Sequence, residues 1–316
     1  MIITRTPFRI GLLGGGLDYP VHFQQNGGKV LSATIDKYCY VSVRYLPPFF
    51  EHKFRIVHSL IENVQSIDEI FHPSARECLR YAGIKEGVEV HHDGDLPART
   101  GLGTSSAFTV GLLHALYALQ GRGINKTQLA LDAIKVEREI LKENVGSQDQ
   151  VAVTIGGFNQ IDFQKDGGFS ITPVKKYLDL EQYLMLAFTN LTHISSQVVK
   201  TYNFNPDTLA ALAQVVSKAE QSDSIIELGY FIEQSWELKK KLSPEVSSPF
   251  IDYMYQKAKQ AGAIGGKLLG AGKGGFLLLV VEPSKQAQVK EALQGMLFVP
   301  FRFESMGSQI IFGGEK

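Results

Sequence analysis

The sequence contains few of the residues that mark specialised protein classes. Among its 316 residues there are only two cysteines, Cys39 and Cys78, and a single tryptophan. Two thiols are too few for a disulfide scaffold or a zinc cluster, and they favour a reducing compartment. No signal-peptide pattern is visible in the first residues, which Arg5 and Arg9 interrupt. We therefore expect a cytoplasmic protein.

An excess of charge and a long hydrophobic run are also absent. The 32 Lys and Arg residues balance 32 Asp and Glu residues, whereas nucleic acids and anionic membranes attract basic surfaces. The longest aliphatic and aromatic run, residues 276–281, is far shorter than the roughly 20 residues of a membrane helix. We therefore expect no nucleic-acid partner and no membrane partner.

The pattern of apolar residues predicts an α+β protein with two halves. Its length suggests about two domains at roughly 150 residues each, and we place them at residues 1–180 and 181–316. Alternating residues in 29–46 predict a pair of strands, and helical spacing predicts a helix over 104–119. Further predicted helices cover 73–82, 125–142 and much of 206–261. Further predicted strands are 54–59, 88–92, 158–163, 169–174, 183–189, 263–270, 274–281, 298–303 and 308–312.

The glycine-rich segment most suggestive of chemistry is Leu96–Ala107, LPARTGLGTSSA. It lies between a predicted strand and a predicted helix, so its amides and hydroxyls meet the positive end of a helix dipole. Such a turn can bind phosphate, and a hydroxyl there can reach Mg²⁺. It is neither a Walker A loop nor a Rossmann fingerprint, and an ordinary small-residue helix cap explains the composition about equally well.

Two other segments are unusual. Residues 7–20, PFRIGLLGGGLDYP, place Arg9 in an apolar strand that is followed by three glycines and Asp18. A buried charge is costly unless it is paired, so this segment is either an exposed edge or the wall of a pocket. Residues 265–275, GGKLLGAGKGG, hold six glycines in eleven positions. Because a hairpin needs fewer, we expect close approach of this backbone to something.

In this order and spacing the three segments resemble the motifs of the galactokinase, homoserine kinase, mevalonate kinase and phosphomevalonate kinase superfamily. The second motif is matched over PxxxGLG(S/T)S, Pro97–Ser105, and Ser106 and Ala107 follow it. In the third motif Lys273 stands where the family usually has glycine. The resemblance implies a ribosomal-S5-like N-terminal domain and a ferredoxin-like C-terminal domain. The stretches IDKYCYVSVRYLPPFFEHKFRIVHS, HHDGDLPARTGLGTSS and ILKENVGSQDQVAV are similar to D-glycero-D-manno-heptose 7-phosphate kinases.

The resemblance implies ATP-dependent phosphorylation of the sugar phosphate at its anomeric C1 hydroxyl, giving a 1,7-bisphosphate for nucleotide-activated heptose. Alternatives are another sugar 1-kinase, for a hexose or deoxyhexose, and a non-catalytic sugar or nucleotide sensor on the same fold. The cofactors would be ATP and Mg²⁺, and the protein would act on a small-molecule sugar phosphate as a monomer or a homodimer. Asp149, in GSQDQ, would accept or orient the proton of the substrate hydroxyl, although by sequence alone it could cap a helix. Arg9 would supply positive charge to the reaction.

The remaining roles are also implied by the resemblance. Mg²⁺ would be held by Ser106 and Glu137, with Glu139 as the rival carboxylate. The nucleotide phosphates would bind residues Gly101, Leu102, Gly103, Thr104, Ser105 and Ser106. The substrate would bind residues Asp18, Gly15, Gly16, Gly270, Ala271 and Gly272.

Other charged residues leave alternatives open. For a substrate phosphate the candidates are Arg44, Lys37, Arg99 and Lys273, each of which could equally be a solvated surface charge. The run Lys239–Lys241 is expected to interact with the C-terminal end of a helix dipole. His91 and His92 should point to opposite faces of a strand, which disfavours a shared metal.

Overall fold

The first sheet is built around one long strand. The computed structural model describes residues 1–177, 179–191 and 198–313. Strand β1 (Ile2–Leu13) pairs antiparallel with β2 (Gly28–Tyr45) along most of its length. The predicted pair of strands in 29–46 was therefore wrong. Pro7 pairs with Tyr38 and Phe8 with Ile35, so the two residues between them form a bulge and the strand continues without a turn.

The two halves of β2 have different second neighbours. Its first half pairs with β6 (Phe158–Phe163), and its second half pairs with β5 (Val88–Gly94). Beyond them the sheet continues through β3 (Phe54–Val57), β4 (Ile61–Val64) and β7 (Phe169–Pro173). Strand β3 is shorter than the strand predicted over 54–59, because the chain turns back after Val57 to form β4. At the opposite edge β12 (Gln309–Phe312) pairs with β1, so the end of the chain returns to the first sheet. The division at residue 180 stays a prediction.

Helices cover the first sheet and carry several residues of the site. They are α1 (Pro20–Asn26), α2 (Pro73–Ala82), α3 (Thr104–Leu119), α4 (Lys126–Lys135) and α5 (Gln148–Ile155). The predicted bounds of α2 and α3 are confirmed, whereas α1 was missed. The helix predicted over 125–142 is α-helical only to Lys135 and then becomes a π-helix, Val136–Ile140. Helix α3 is the central one, because most of its residues are buried.

The second sheet is smaller and antiparallel, in the order β11 (Leu297–Phe298), β8 (Leu184–Phe188), β10 (Phe276–Val281), β9 (Ala263–Leu268). The helices in this part of the chain are α6 (Leu180–Tyr183), α7 (Pro206–Gln221), α8 (Ile225–Lys240), α9 (Pro249–Gln260) and α10 (Gln286–Ala292). Of these, α8 and α9 pack on β9, whereas α7 packs on α8 and on β2 of the first sheet. Serines cap α8 and α9, which divides the predicted long helical region. The predicted strand at 298–303 is almost absent, because Pro300 cannot donate to a ladder.

The predicted α+β class is confirmed. Trp236 is fully buried in the core beneath the second sheet. Among the described helices, none is both long and apolar enough to span a bilayer.

Candidate active site

The three glycine-rich segments meet, and they do so backbone against backbone. A Cβ on Gly101 would overlap the carbonyl oxygen of Leu269, and a Cβ on Gly270 would overlap the Cα of Gly101. Both glycines have positive φ, 81° and 73°. The close approach expected of the third segment is therefore largely to the chain itself. Glycine fits here because only it combines this conformation with the absence of a side chain.

A cavity of about 1020 Å³ opens beside this junction. Most of the sequence-predicted site residues line it: Arg9, Gly15, Gly16, Asp18, Gly101, Gly103, Thr104, Ser105, Ser106, Glu137, Asp149, Gly270 and Ala271. Leu102 does not, because its side chain is buried in the core while its carbonyl accepts a hydrogen bond from the Arg9 amide at 3.0 Å. Gly272 does not either, since its backbone packs against Val246.

Arg9 and Asp149 form a bidentate ion pair in the wall of the cavity. Arg9 Nε donates to Asp149 Oδ1 at 2.8 Å, and Arg9 Nη2 donates to Asp149 Oδ2 at 2.7 Å. Arg9 Nη1 also donates to the Gly101 carbonyl at 2.6 Å. The Arg9 side chain is only 5% exposed, whereas the Asp149 side chain is 26% exposed. The carboxylate is therefore fixed in position and still open to the cavity.

The N-terminus of α3 lies directly against this pair. The residue before the helix is Gly103, which has φ 72° and no side chain that could accept a hydrogen bond. The first backbone amides of this 16-residue helix therefore have no side-chain cap. A Cβ on Gly103 would lie 3.1 Å from Arg9 Cγ and 3.5 Å from Asp149 Oδ2. An anion bound at these amides would therefore be next to the Asp149 carboxylate.

Ser106 and Glu137 form a second polar pair, almost completely buried. Ser106 Oγ donates to Glu137 Oε2 at 2.9 Å, and the Gln150 side-chain amide donates to the same oxygen. Within the described parts of the chain, Glu137 Oε1 is buried and has no hydrogen-bond partner. Burial, followed by repulsion from Glu143, raises the pKa of Glu137 to about 7. Glu139, by contrast, lies exposed and outside the cavity wall.

Asp18 is held in the loop after β1. Its carboxylate accepts hydrogen bonds from the Gly16 amide at 3.0 Å and from the Gln148 side chain at 3.1 Å. A Cβ on Gly146 would overlap this carboxylate, so the glycine makes room for it. Burial raises the pKa of Asp18, which the hydrogen bond from Gly16 partly opposes.

Two lysines of the cavity wall were missed as site residues. Lys239 is confirmed to end a helix, but its side chain is buried beside the cavity and is not a solvated charge of the run 239–241. Lys267 lies in β9, between apolar neighbours, and also lines the cavity. The signal for Lys267 was the one used for Arg9: a charged residue in an otherwise apolar strand.

Of the four cations considered for a substrate phosphate, only Arg99 lines the cavity. Arg44 is paired with Glu89, Lys37 with Asp36, and Lys273 with Glu245. Lys273 takes a left-handed conformation with φ 65°. The backbone angle that the family's glycine would provide is therefore kept.

Aromatic rings line another part of the cavity. His72 packs edge-on against His58, with ring centroids 4.8 Å apart, and it also contacts Phe108. Burial, with repulsion from His58 and His92, lowers the pKa of His72 to about 4, so this imidazole is neutral at pH 7. His92 also packs on Phe108, whereas His91 reaches the opposite way to Glu89.

Comparison with known proteins extends these observations. The family model of the GHMP kinases N terminal domain matches residues 69–157, and the model of the GHMP kinases C terminal matches residues 211–297. A D-glycero-alpha-D-manno-heptose 7-phosphate kinase of Campylobacter jejuni is 28% identical over 93% of both chains. A galactokinase of Pyrococcus furiosus is 26% identical over 92% of both.

A solved structure shares the fold. A D-glycero-D-manno-heptose 1-phosphate kinase from Bacteroides thetaiotaomicron superposes with a TM-score of 0.80 over 98% of both chains, at 24% identity. The two family models together cover more than half of the chain. They contain the glycine-rich segments 96–107 and 265–275, which border one cavity together with the first segment, residues 7–20. The chain belongs to the GHMP kinase family, and it is therefore an ATP-dependent kinase.

Proposed function

We propose that this kinase transfers the γ-phosphoryl group of ATP to the anomeric C1 hydroxyl of D-glycero-D-manno-heptose 7-phosphate. The product would be the 1,7-bisphosphate. The observation that carries the transfer chemistry is the contact between the N-terminus of α3 and the Arg9–Asp149 pair. The choice of sugar rests on the motif resemblance and on the Campylobacter jejuni relative, which is similar along almost its whole length.

Asp149 would orient the acceptor hydroxyl and accept its proton. Arg9 occupies one lone-pair direction of each carboxylate oxygen, which leaves the exposed side free for a hydroxyl donor. Phosphoryl transfer depends mainly on positioning and on stabilisation of charge. The Arg9 guanidinium supplies fixed positive charge at the same place, so one ion pair serves both requirements.

The backbone amides of Gly101–Ser106 would bind the β- and γ-phosphates. They combine free N–H donors with the positive end of the α3 dipole. Neither the Leu102 side chain nor Gly272 lines the cavity, so the Leu102 side chain and Gly272 would act by shaping these loops. The rings around His72 and Phe108 would hold the adenine, since neutral imidazole and phenyl rings offer apolar faces for a base.

The residues present fit a magnesium ion. Glu137 Oε1 is a buried carboxylate oxygen without a partner in the described chain, which a hard cation would satisfy, and Ser106 Oγ lies beside it. Ser106 and Glu137 would hold Mg²⁺ together with nucleotide phosphates, and the ion would neutralise charge that develops on those phosphates. Among the described residues no cluster of three or more carboxylate, histidine or cysteine side chains forms a metal site, so the phosphates would provide the other ligands.

Asp18 would bind hydroxyl groups of the sugar, beside the acceptor hydroxyl that Asp149 would orient. Its carboxylate is positioned by Gly16 and Gln148, and Gln148 precedes Asp149 in the same helical turn. A positioned carboxylate can accept hydrogen bonds from two neighbouring hydroxyls. The Pyrococcus furiosus relative favours a second candidate, a kinase for an unphosphorylated hexose.

Phosphorus NMR on a panel of acceptors tests the proposal. The protein is incubated with ATP, Mg²⁺ and one acceptor at a time: heptose 7-phosphate, the free heptose, galactose or fucose. We expect a new anomeric phosphate signal with heptose 7-phosphate and much slower reaction of the free sugars. Equal turnover of a free sugar would contradict the substrate, and ATP binding without transfer to any acceptor would favour a sensor.

A further inference from the structure

Two lysines on different elements converge on one wall of the cavity. Lys239 is in the last turn of α8 and only 7% exposed, and Lys267 is in β9 and only 4% exposed. Lys239 Nζ donates to the Gly270 carbonyl, and Lys267 Nζ donates to the Leu12 carbonyl at 3.3 Å. An ammonium group has three donors, so each lysine keeps donors that these bonds do not use.

Neither lysine makes an ion pair with any carboxylate of the described chain. The charges that act on Lys239 are Asp18, Arg9 and Asp149. Asp149 is already bound by Arg9, and the Asp18 carboxylate is bonded to Gly16 and Gln148. This wall therefore has three basic side chains, Arg9, Lys239 and Lys267, for two carboxylates that are already engaged.

Burial lowers the pKa of Lys239 to about 8. Burial, and then repulsion from Lys239 and Arg9, lowers the pKa of Lys267 well below its usual value. Burying uncompensated charge is unfavourable, and an anion placed between the two ammonium groups would remove the repulsion. The unfavourable burial of these two lysines occurs in the wall of the substrate cavity, where a ligand can supply the anion.

We propose that Lys239 and Lys267 form a subsite for a phosphate dianion in the wall of this cavity. The inference rests on the proposed function, and it names a group that the ligand must carry. A Cβ on Gly15 would lie 3.9 Å from Lys239 Nζ, so the subsite adjoins the loop that holds Asp18. The dianion can come from a phosphate on the acceptor or from the γ-phosphate of the nucleotide.

The test uses Lys239→Met and Lys267→Met. The matched control is Lys241→Met, at the exposed residue that caps the C-terminus of the same helix. The shift of thermal midpoint with inorganic phosphate is measured on protein saturated with Mg²⁺ and AMP-PNP, so that the nucleotide subsites are filled. We expect phosphate to stabilise the wild type and the control, and the apparent Kd for phosphate to rise about 10- to 100-fold in both cavity variants.

A second arm compares the affinities for AMP-PNP and ADP. If the variants lose only the preference for AMP-PNP, the dianion of this subsite is the γ-phosphate. If they keep both this preference and the response to inorganic phosphate, the proposal is overturned. Neither arm needs turnover, so a protein inactive on heptose 7-phosphate would refute the proposed substrate and leave this inference standing.

A merely structural lysine would behave differently without ligand. Because burial disfavours the charged form of both lysines and no carboxylate of the described residues pairs with them, the methionine variants should unfold at or above the wild-type temperature in the absence of phosphate. Lys239→Arg, which keeps the charge, should restore most of the phosphate response. A large fall in stability together with an unchanged phosphate response would assign both lysines to the fold alone.

Discussion

Glu137 is predicted to destabilise the metal-free protein, and Glu137→Gln should relieve this cost in a pH-dependent way. The side chain is 1% exposed, and burial raises its pKa from 4.5 to about 7. Between these values the folded state binds more protons than the unfolded state. The stability that this group contributes is therefore present at low pH and is lost as the pH rises towards 7.

The magnitude follows from the size of the pKa difference. At about 1.4 kcal/mol per unit, a change of about 2.5 units corresponds to about 3 kcal/mol, fully expressed above pH 7. At pH 5 most of this cost is absent. Glutamine does not titrate, so the stability of the variant relative to wild type should rise by about 2–3 kcal/mol between pH 5 and pH 8.5. A constant penalty for the new amide cancels from this difference.

Urea denaturation in EDTA at the two pH values measures the effect. Glu139→Gln is the matched control, because Glu139 is exposed two residues away and its variant should show no such pH dependence. With Mg²⁺ and ATP, Glu137→Gln should lose activity because a proposed metal ligand is gone. An equal difference from wild type at pH 5 and pH 8.5 would refute the reasoning about the buried carboxylate.

Three further predictions concern the ion pair, the third glycine segment and the histidine-lined end of the cavity. Arg9→Met should lower the free energy of unfolding in urea by about 2–3 kcal/mol, which is less than for a fully buried pair because the Asp149 side chain is 26% exposed. Adding Asp149→Asn should recover part of this loss of stability. Strictly additive effects of the two substitutions would contradict the pairing. Lys273→Gly should leave kcat/KM within about twofold, since Lys273 pairs with Glu245, and a large rise in KM would place it in substrate binding. The stability of the wild type should fall as the pH drops from about 6.5 towards 4, because the lowered pKa of His72 keeps this side chain neutral in the folded state. His72→Asn keeps a capping side chain and should make the thermal midpoint depend less on pH over this range. An unchanged pH dependence would show that His72 is not its cause.

Periodicity predicted the regular helices of the fold well. The bounds of Pro73–Ala82 and Thr104–Leu119 are confirmed because proline, glycine and apolar spacing are local signals. The continuous strand Gly28–Tyr45 was misread, since the bulge opposite Pro7 depends on pairing with a distant strand. The π-helix at Val136–Ile140 has no comparable sequence signal, yet it carries Glu137.

The candidate site was predictable where a motif named the residue. Arg9, Asp18, Glu137 and Asp149 come together around one cavity. The buried lysines were not found, because the sequence does not show that the last turn of a helix and the end of a strand 28 positions later share a wall. Nor could it show that Gly101 and Gly270 are required by contact with each other.

The most direct test of the account is the turnover of Asp149→Asn with heptose 7-phosphate, ATP and Mg²⁺. The amide keeps the shape of the side chain but loses the charge that would accept the proton of the hydroxyl. We expect kcat to fall by roughly 100-fold or more, with the affinity for ATP nearly unchanged, because Asp149 faces the acceptor and not the adenine end. Turnover close to that of the wild type would contradict the central claim that phosphoryl transfer takes place at the Arg9–Asp149 pair.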